Sequence, residues 1–420
     1  MGQTRSVLLI AYHFPPVQGS SGVQRTLRFT QHLPDCGWRP VVLTITPGAY
    51  EAVAHVAGNE PPPGLEVRRA FGVDAARLSV FGRYPRRFAL PDRWASWRWW
   101  AVRAALRLVR EARIDVVWST FPIATAHAIG LEVARRTGLP WIAEFRDPMW
   151  QGDYPPDPEV NRAWRTLEQR IFAHAAQVVV TTPGAAAVYA ERFPDFGAGR
   201  IALIENGYDE DTFRRARGVT AAPHAAPIRI LHSGVVYPNE RDPTALFTAL
   251  AELKRAGRIS AASLQLTLRA SGFDQHYRPQ LEALGIADIV RLEPQIDYLA
   301  ALEEMLGAHG LLILQAANCN AQVPAKLYEY LRSGRPILAL TDPAGDTART
   351  LAAAGTGLIA PLDSAAAIEA ELLRFLDEIG RDEWRRPAPG VIARYSRAAQ
   401  TAELAARLEQ VAGHGRQPDA

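Results

Sequence analysis

The chain has 420 residues, of which 48% are hydrophobic and 22% are charged, so it fits two globular domains of roughly 200 residues and excludes a disordered protein. Its formal net charge is only +3, and no apolar run approaches the ~20 residues that a membrane-spanning helix needs. Two cysteines, Cys36 and Cys319, are too few for a disulfide framework or a zinc site. With no room for a signal peptide before the first strand, we expect a cytoplasmic protein.

The first half of the chain alternates short apolar runs, typical of parallel strands buried on both faces, with helical stretches. The predicted strands are residues 7–11, 41–45, 116–119, 141–144, 178–181 and 201–204. The predicted helices are residues 23–33, 92–113, 124–137 and 158–175.

After residues 214–227, which are rich in Ala, Arg and Pro and are interpreted as a linker, the same alternation restarts. Strands are predicted at 228–232, 264–270, 290–292, 311–315 and 337–341, and helices at 243–255, 299–306, 326–333 and 365–379. The sequence therefore predicts an α/β protein with two Rossmann-like, doubly wound domains, residues 1–213 and 228–390, facing each other across a cleft. Residues 391–420 are predicted to form a C-terminal helix that packs back on the first domain.

A glycine-rich loop follows the first strand and contains Gly19, Ser20, Ser21 and Gly22. Such a loop lets backbone N–H groups approach an anion at the start of the next helix. The glycine spacing differs from Gly-x-Gly-x-x-Gly, and no ribose-binding carboxylate ends the second strand, so NAD binding is disfavoured. A connector without a ligand is the alternative.

Three charged residues, Glu144, Arg146 and Asp147, follow the strand at 141–144 and should lie at the carboxyl edge of the first sheet, where ligands bind in α/β folds. A structural salt bridge among them is the alternative. His127 is an additional candidate, although a single histidine within a helix is more often a core or surface residue.

In the second half, Gly234 follows a strand and Arg241 precedes a helix opened by Asp242 and Pro243. A cation beside a helix N-terminus suits a diphosphate, because the helix dipole and the guanidinium act together.

Lys326 and Glu329 share one face of the helix predicted at 326–333. A lysine in the first turn opposes the helix dipole at a cost of ~0.3–1 kcal/mol, which an anionic ligand would offset. Lysine is also scarce, since Lys254 is the only other one. We interpret Lys326 as an anion ligand; an exposed Lys–Glu pair is the alternative.

Taken in this order, the chain resembles the retaining glycosyltransferases of the group 1, or family 4, type, which have the GT-B fold, and especially the subset from bacterial cell-surface polysaccharide pathways. The resemblance is carried by the glycine-rich loop and by residues 144–150, 204–209 with Phe213, 232–241 and 324–336.

The resemblance implies that the C-terminal domain binds a UDP- or GDP-sugar. Gly234, Arg241 and Lys326 match positions that hold the diphosphate, and Glu329 matches the carboxylate that binds the ribose. Residues 290–295, including Leu292 and Gln295, correspond to the segment along the base. The glycine-rich loop would approach the phosphates from the first domain.

The expected catalytic residues are Asp147, Arg241 and Lys326. The expected sugar or acceptor contacts are His127, Glu144, Arg146, Asn320 and Gln322. The family's first glutamate is absent, because that position holds Ala321, and Asn318, Asn320 or Gln322 is a partial substitute.

The implied reaction moves the sugar to a glycan or lipid-linked acceptor with retention of configuration and without a protein nucleophile. No cofactor is expected, and since no Asp-x-Asp lies beside a predicted sugar site, no metal is expected. The alternatives are an epimerase of the same fold, a nucleotide-sugar-binding protein without activity, and a two-domain ligand binder of the periplasmic type.

Residues 68–113 contain twelve Arg against three acidic residues, together with four Trp between residues 94 and 100. On the helix predicted at 92–113, Arg103, Arg107 and Arg110 share a face, which is typical of a helix that rests on anionic lipid at the inner face of the membrane. An ordinary amphipathic helix packed on the sheet is an equal alternative. No nucleic-acid-binding module accompanies the stretch, so nucleic acid is not expected as a partner.

Overall fold

The structure is a computed structural model that describes residues 4–17, 21–53, 60–78, 89–152, 154–216 and 226–414. The chain divides into two compact units, one formed by residues 1–206 with 397–420 and the other by residues 207–396. Within the described ranges, no helix is both long enough and apolar enough to cross a membrane.

The first unit is a parallel sheet flanked by helices. Its strands are β1 (Arg5–Ile10), β2 (Trp38–Ile45), β3 (Glu66–Ala70), β4 (Val116–Thr120), β5 (Trp141–Phe145), β6 (Gln177–Val180) and β7 (Ile201–Leu203). Its first five helices are α1 (Ser21–His32), α2 (Trp97–Glu111), α3 (Ala124–Thr137), α4 (Pro158–His174) and α5 (Pro183–Arg192). The strand order β3-β2-β1-β4-β5-β6-β7 reverses direction between β1 and β4.

The second unit has the same architecture. Its strands are β8 (Ile228–Ser233), β9 (Leu264–Arg269), β10 (Val290–Glu293), β11 (Gly310–Leu314), β12 (Ile337–Leu340) and β13 (Leu358–Ala360). Its helices are α6 (Glu210–Arg215), α7 (Thr244–Arg255), α8 (Asp274–Ala283), α9 (Tyr298–Gly307), α10 (Lys326–Ser333), α11 (Asp346–Ala354), α12 (Ala365–Arg381) and α13 (Pro389–Ala393). The strand order β10-β9-β8-β11-β12-β13 reverses between β8 and β11. The prediction of two Rossmann-like α/β domains is confirmed.

The last helix, α14 (Arg397–His414), belongs to the first unit, where it packs against α1. Its apolar residues Leu404 and Leu408 are fully buried in one core cluster with Leu27 and Phe29 of α1. The first unit is therefore built from the two ends of the chain.

The boundary between the units lies at residue 206, before the predicted boundary at 213, because the segment that begins at Gly207 packs on the second unit. Tyr208 and Phe213 are buried there in one cluster with Leu231 of β8. Glu210 accepts hydrogen bonds of 2.7 and 2.6 Å from Arg332 of α10. Most of the predicted linker, residues 217–225, lies outside the described residues.

The helix predicted at 92–113 begins later, at Trp97, because Asp92 has a different role. Its carboxylate accepts hydrogen bonds from the backbone N–H of Trp94 at 3.0 Å and from the N–H and hydroxyl of Thr125 at 2.7 and 2.8 Å. Thr125 lies in the first turn of α3, so Asp92 satisfies a free helix N-terminus from a neighbouring segment.

Candidate functional site

The reversal of strand order between β8 and β11 places the loops after these two strands side by side at the carboxyl edge of the second sheet. In α/β folds this is the point at which a crevice for a ligand forms. The loop after β8 carries Gly234 and Arg241, and the connection after β11 leads into α10, which begins at Lys326 as predicted.

Lys326 is held by His232, near the end of β8. The Nδ1 of His232 lies 2.9 Å from the backbone oxygen of Leu312, which only accepts, so this nitrogen carries the proton. The other ring nitrogen, Nε2, therefore accepts from the Lys326 ammonium at 3.1 Å. Gly234 lies against the same ammonium, with φ of 120° and with space so limited that a Cβ would be 2.8 Å from Nζ.

Two basic side chains of this cluster, Lys326 and His232, have lowered pKa values. Burial and the nearby charge of Arg241 lower the pKa of Lys326 well below its usual value, and Glu329 opposes the shift. Burial and the charge of Lys326 likewise lower the pKa of His232. Arg241 donates to the backbone oxygen of Val235 at 2.7 Å and lies over the ring of Tyr237. A bound anion would relieve the repulsion between the two cations.

Glu329 lies one turn along α10 from Lys326 and accepts a 2.5 Å hydrogen bond from the hydroxyl of Tyr298. The next residue, Tyr330, is buried, and its hydroxyl accepts from the backbone N–H of Ser233 at 3.0 Å. Tyr330 thus joins α10 to the end of β8 and fixes the register of Lys326 and Glu329 against the strand.

The remaining predicted residues of the second unit differ in their burial and hydrogen bonding. Leu292 lies on the edge strand β10 and packs partly on the core, whereas Gln295 is exposed just beyond it. Asn320 donates to Asp342 at 2.5 Å, and its Oδ1 is buried without a hydrogen-bond partner. The backbone oxygen of Gln322 accepts from the side chain of Gln315 at 3.0 Å.

In the first unit, Glu144 forms a buried structural ion pair and is not placed to contact a ligand. Its side chain is 0% exposed and bonds to Arg25 of α1 at 2.9 Å and to the hydroxyl of Thr120 at 2.9 Å. Arg25 also donates to the backbone oxygens of Ile204 and Glu205. The expectation of a sugar or acceptor contact is therefore corrected for Glu144, because its oxygens serve to join α1 to the sheet.

His127 is corrected for the same reason. It is completely buried in α3, and its Nδ1 lies 2.8 Å from the hydroxyl of Ser119, which also accepts from the indole of Trp141. Burial lowers the pKa of His127 to about 3, so its ring is neutral at neutral pH. The residue belongs to the core.

Arg146 remains at the edge of the first sheet, against the start of α1. A Cβ on Gly22 would lie 2.0 Å from Nη1 of Arg146, so any larger residue would displace this guanidinium. Arg146 donates to the backbone oxygen of Phe121 at 2.7 Å; burial lowers the pKa of its guanidinium, and the neighbouring charges of Asp147 and Glu144 oppose this shift. Ser21 is the first residue of α1, whereas Gly19 and Ser20 lie outside the described residues.

The structure thus shows two polar clusters, one in each unit. Lys326, Glu329, Gly234 and Arg241 lie together in the second unit, as their positions at one sheet edge predict. Sequence reasoning missed His232, Tyr298 and Arg25 as partners. His232 alone gave a signal, through its position at a strand end; all three residues lie at least 31 positions along the chain from the residues they contact, where no local pattern reports the pairing.

Comparisons with known proteins agree with this architecture. Residues 21–207 match the glycosyl transferase 4-like domain family. No curated protein matches the sequence. Similar solved structures include a glycosyltransferase from Rickettsia africae, at 12% identity and a TM-score of 0.66 over 98% of this chain and 99% of that one. Sucrose-phosphate synthase from Thermosynechococcus elongatus has 16% identity and a TM-score of 0.61 over 98% and 97%. HepE from Anabaena, in complex with UDP and glucose, has 13% identity and a TM-score of 0.58 over 98% of each chain. These similarities confirm the GT-B fold.

Replacing Glu144 by Gln should lower the free energy of unfolding of the first unit by about 3–5 kcal/mol, because Arg25 is left as a buried, unpaired charge. Nine of the ten tryptophans lie in this unit, so tryptophan fluorescence in a denaturant titration follows it. Glu111→Ala, at a half-exposed carboxylate 3.7 Å from Arg68, is the control and should change little. Equal stability of Glu144→Gln and the control would contradict this structural role.

Proposed function

We propose that the chain, whose residues 21–207 match the glycosyl transferase 4-like domain family, is a glycosyltransferase that moves a sugar from a UDP- or GDP-sugar to a glycan or lipid-linked acceptor. In this proposal the anomeric configuration is retained, and the reaction serves cell-surface polysaccharide synthesis in the cytoplasm. The binding of UDP and glucose by HepE, which has the same fold, supports a nucleotide-sugar donor.

The observation that carries the proposal is the ammonium of Lys326 at the strand-order reversal of the second unit. His232 orients the ammonium by a hydrogen bond, and Gly234 has no side chain that would displace it. The lowered pKa of Lys326 makes binding of an anionic ligand favourable. The diphosphate of a nucleotide-sugar is such an anion. Lys326 and Arg241 would neutralise the charge that grows on this leaving group as the glycosidic bond breaks.

The neighbours of Lys326 fit the rest of the donor. The carboxylate of Glu329 already accepts a hydrogen bond from Tyr298 and would also accept hydrogen bonds from the ribose hydroxyls. Leu292, on the edge strand β10 beside β9, offers a partly buried apolar surface for the base, and the exposed Gln295 follows two residues after the end of β10. On the sugar side, Asn320 and Gln322 flank Ala321, and Asn320 has an unpartnered buried Oδ1.

Asp147 is proposed as the catalytic residue of the first unit, with Arg146 and Gly22 beside it. No side chain acts as a nucleophile in this reaction. Asp147 and Arg146 would instead position the acceptor through electrostatic interactions with it. The proposed reaction uses neither a metal ion nor a cofactor.

Ala321 favours a second candidate function, a nucleotide-sugar-binding protein or epimerase that shares the fold without transferring the sugar. A small apolar side chain at this position removes a carboxylate that would hold sugar hydroxyls. Incubation with a panel of UDP-, GDP- and ADP-sugars distinguishes the two, because a transferase releases the free nucleotide and an epimerase does not.

Lys326→Ala should slow nucleotide release from the donor about ten- to hundredfold, since one charge-assisted hydrogen bond is worth about 1.5–3 kcal/mol. Lys254→Ala is a matched control, because Lys254 is the only other lysine and pairs with Asp288 at 2.7 Å on the surface of the same unit. Unchanged nucleotide affinity and release in Lys326→Ala would refute the assignment.

Donor binding should be coupled to proton uptake. In the free protein the pKa of Lys326 is lowered by burial and by Arg241, and a bound diphosphate raises it. Between these two pKa values the complex holds more protons than the free protein, so affinity for UDP should fall as pH rises. Calorimetry in buffers of different ionisation enthalpy measures the protons taken up, and uptake that persists in full in Lys326→Ala would contradict this linkage.

We also propose peripheral contact with an anionic membrane through α2. Trp94 and Trp97 are buried, but Trp99 and Trp100 are 71% and 51% exposed. Exposed Phe71 packs edge-on against Trp100 at 5.9 Å. Arg103, Arg107 and Arg110 continue the exposed face of the helix. Aromatic rings beside cations fit the interface between lipid headgroups and acyl chains.

Replacing Trp99 and Trp100 together by Ala should reduce binding to anionic vesicles about tenfold or more, since both side chains lose apolar contact with lipid. Vesicle flotation at low and high salt measures the bound fraction. Tyr154→Ala removes an aromatic side chain of similar exposure elsewhere in the first unit and should bind like the unmodified protein. If the protein does not bind anionic vesicles even at low salt, the membrane contact is ruled out.

A further inference from the structure

The first unit contains a groove of about 640 Å³ between α4 on one side and α2, α3 and the segment before α2 on the other. The lining residues of α4 include Arg162, Thr166 and Arg170, whose spacing of four residues places them on one face of the helix, with Ala163 and Leu167 beside them. None of the residues assigned to the donor lines this groove.

The groove is basic. Arg98 faces Arg162 and Arg170 from α2, and Glu159 is the one carboxylate among the described lining residues. Arg98 has a long ion pair of 3.5 Å with Glu132. No ion pair of Arg162 or Arg170 occurs within the described part of the chain, and both side chains are exposed. Two arginines that form no ion pair among the described residues, on one helix face, favour an anionic ligand.

The floor of the groove is apolar and well anchored. Leu90 and Pro91 face Leu167, which is 7% exposed, across the groove. The indole of Trp164 on α4 donates to the backbone oxygen of Pro91 at 2.7 Å, so this segment is tied to the helix opposite. A ligand that matches both features has an anionic group and a hydrocarbon chain.

We propose that this groove binds the lipid phosphate of the acceptor, with the phosphate on the arginines and the hydrocarbon chain on the apolar floor. This inference rests on the proposed function, in which the acceptor is lipid-linked. The groove lies in a suitable place, because α4 follows β5 and so begins at the carboxyl edge of the sheet, the edge at which Arg146 and Asp147 lie. Arg162 and Arg170 are about 12 Å apart along the helix.

Calorimetric titration of the full chain with decyl phosphate, below its micelle concentration, tests the proposal. Inorganic phosphate and decanol are titrated separately, to distinguish a lipid phosphate from a free phosphate and from a purely apolar ligand. Decyl phosphate should bind at least about tenfold more tightly than either one, because only decyl phosphate uses both the arginines and the floor.

Arg162→Gln combined with Arg170→Gln should weaken decyl phosphate binding about tenfold or more. The matched control combines Arg135→Gln with Arg278→Gln, which removes the same charge from exposed positions outside the groove and should change nothing. Ala163→Glu, which places a carboxylate on the floor, should also abolish binding.

Three results would overturn the proposal: equal affinity of the groove variant and the control, inorganic phosphate binding as tightly as decyl phosphate, or a dimer in sedimentation that the groove substitutions dissociate. In the last case a second copy of the chain would occupy the groove. UDP binding is measured on the same variants and should be unchanged. If the unmodified protein does not bind UDP, the proposed function is contradicted. The decyl phosphate titration would still show whether the groove binds a lipid phosphate.

Discussion

The hydrogen bond between Lys326 and His232 is the interaction on which the candidate site depends. It joins the start of α10 to the end of β8 across the point where the strand order reverses, and Tyr330 fixes the same two elements through Ser233. A flexible lysine on the surface would lose side-chain entropy on binding an anion. Here the ammonium is already ordered and partly desolvated, so much of that loss has occurred on folding.

The two units use buried charge in different ways. In the first unit, Arg25 and Glu144 form an ion pair that joins α1 to the sheet, and both side chains are too deeply buried to contact a ligand. In the second unit, burial and the nearby charge of Arg241 disfavour the charged form of Lys326. The first arrangement stabilises a fold, whereas the second stores unfavourable electrostatic energy that a bound anion releases.

Much of this was predictable from sequence, because buried parallel strands are short apolar runs and their carboxyl ends share an edge. Helix α3 and helix α10 begin and end at the predicted residues, and the grouping of Gly234, Arg241, Lys326 and Glu329 follows from the alternation of elements. Strand β3 was missed because its sequence, Glu-Val-Arg-Arg-Ala, is polar, as an edge strand allows. The role of Glu144 was missed because its partner lies 119 residues away, and no local pattern reports such a pairing.

The return of α14 to the first unit has a consequence for biosynthesis. Leu404 and Leu408 are synthesised long after Leu27 and Phe29, yet they complete the core around these two residues. The second unit lies wholly between these segments, so it can finish folding before α14 is synthesised. Until then, the apolar surface that α14 covers in the first unit stays exposed. Chaperone binding during translation would then fall on the first unit and would end only after α14 has been synthesised and packed.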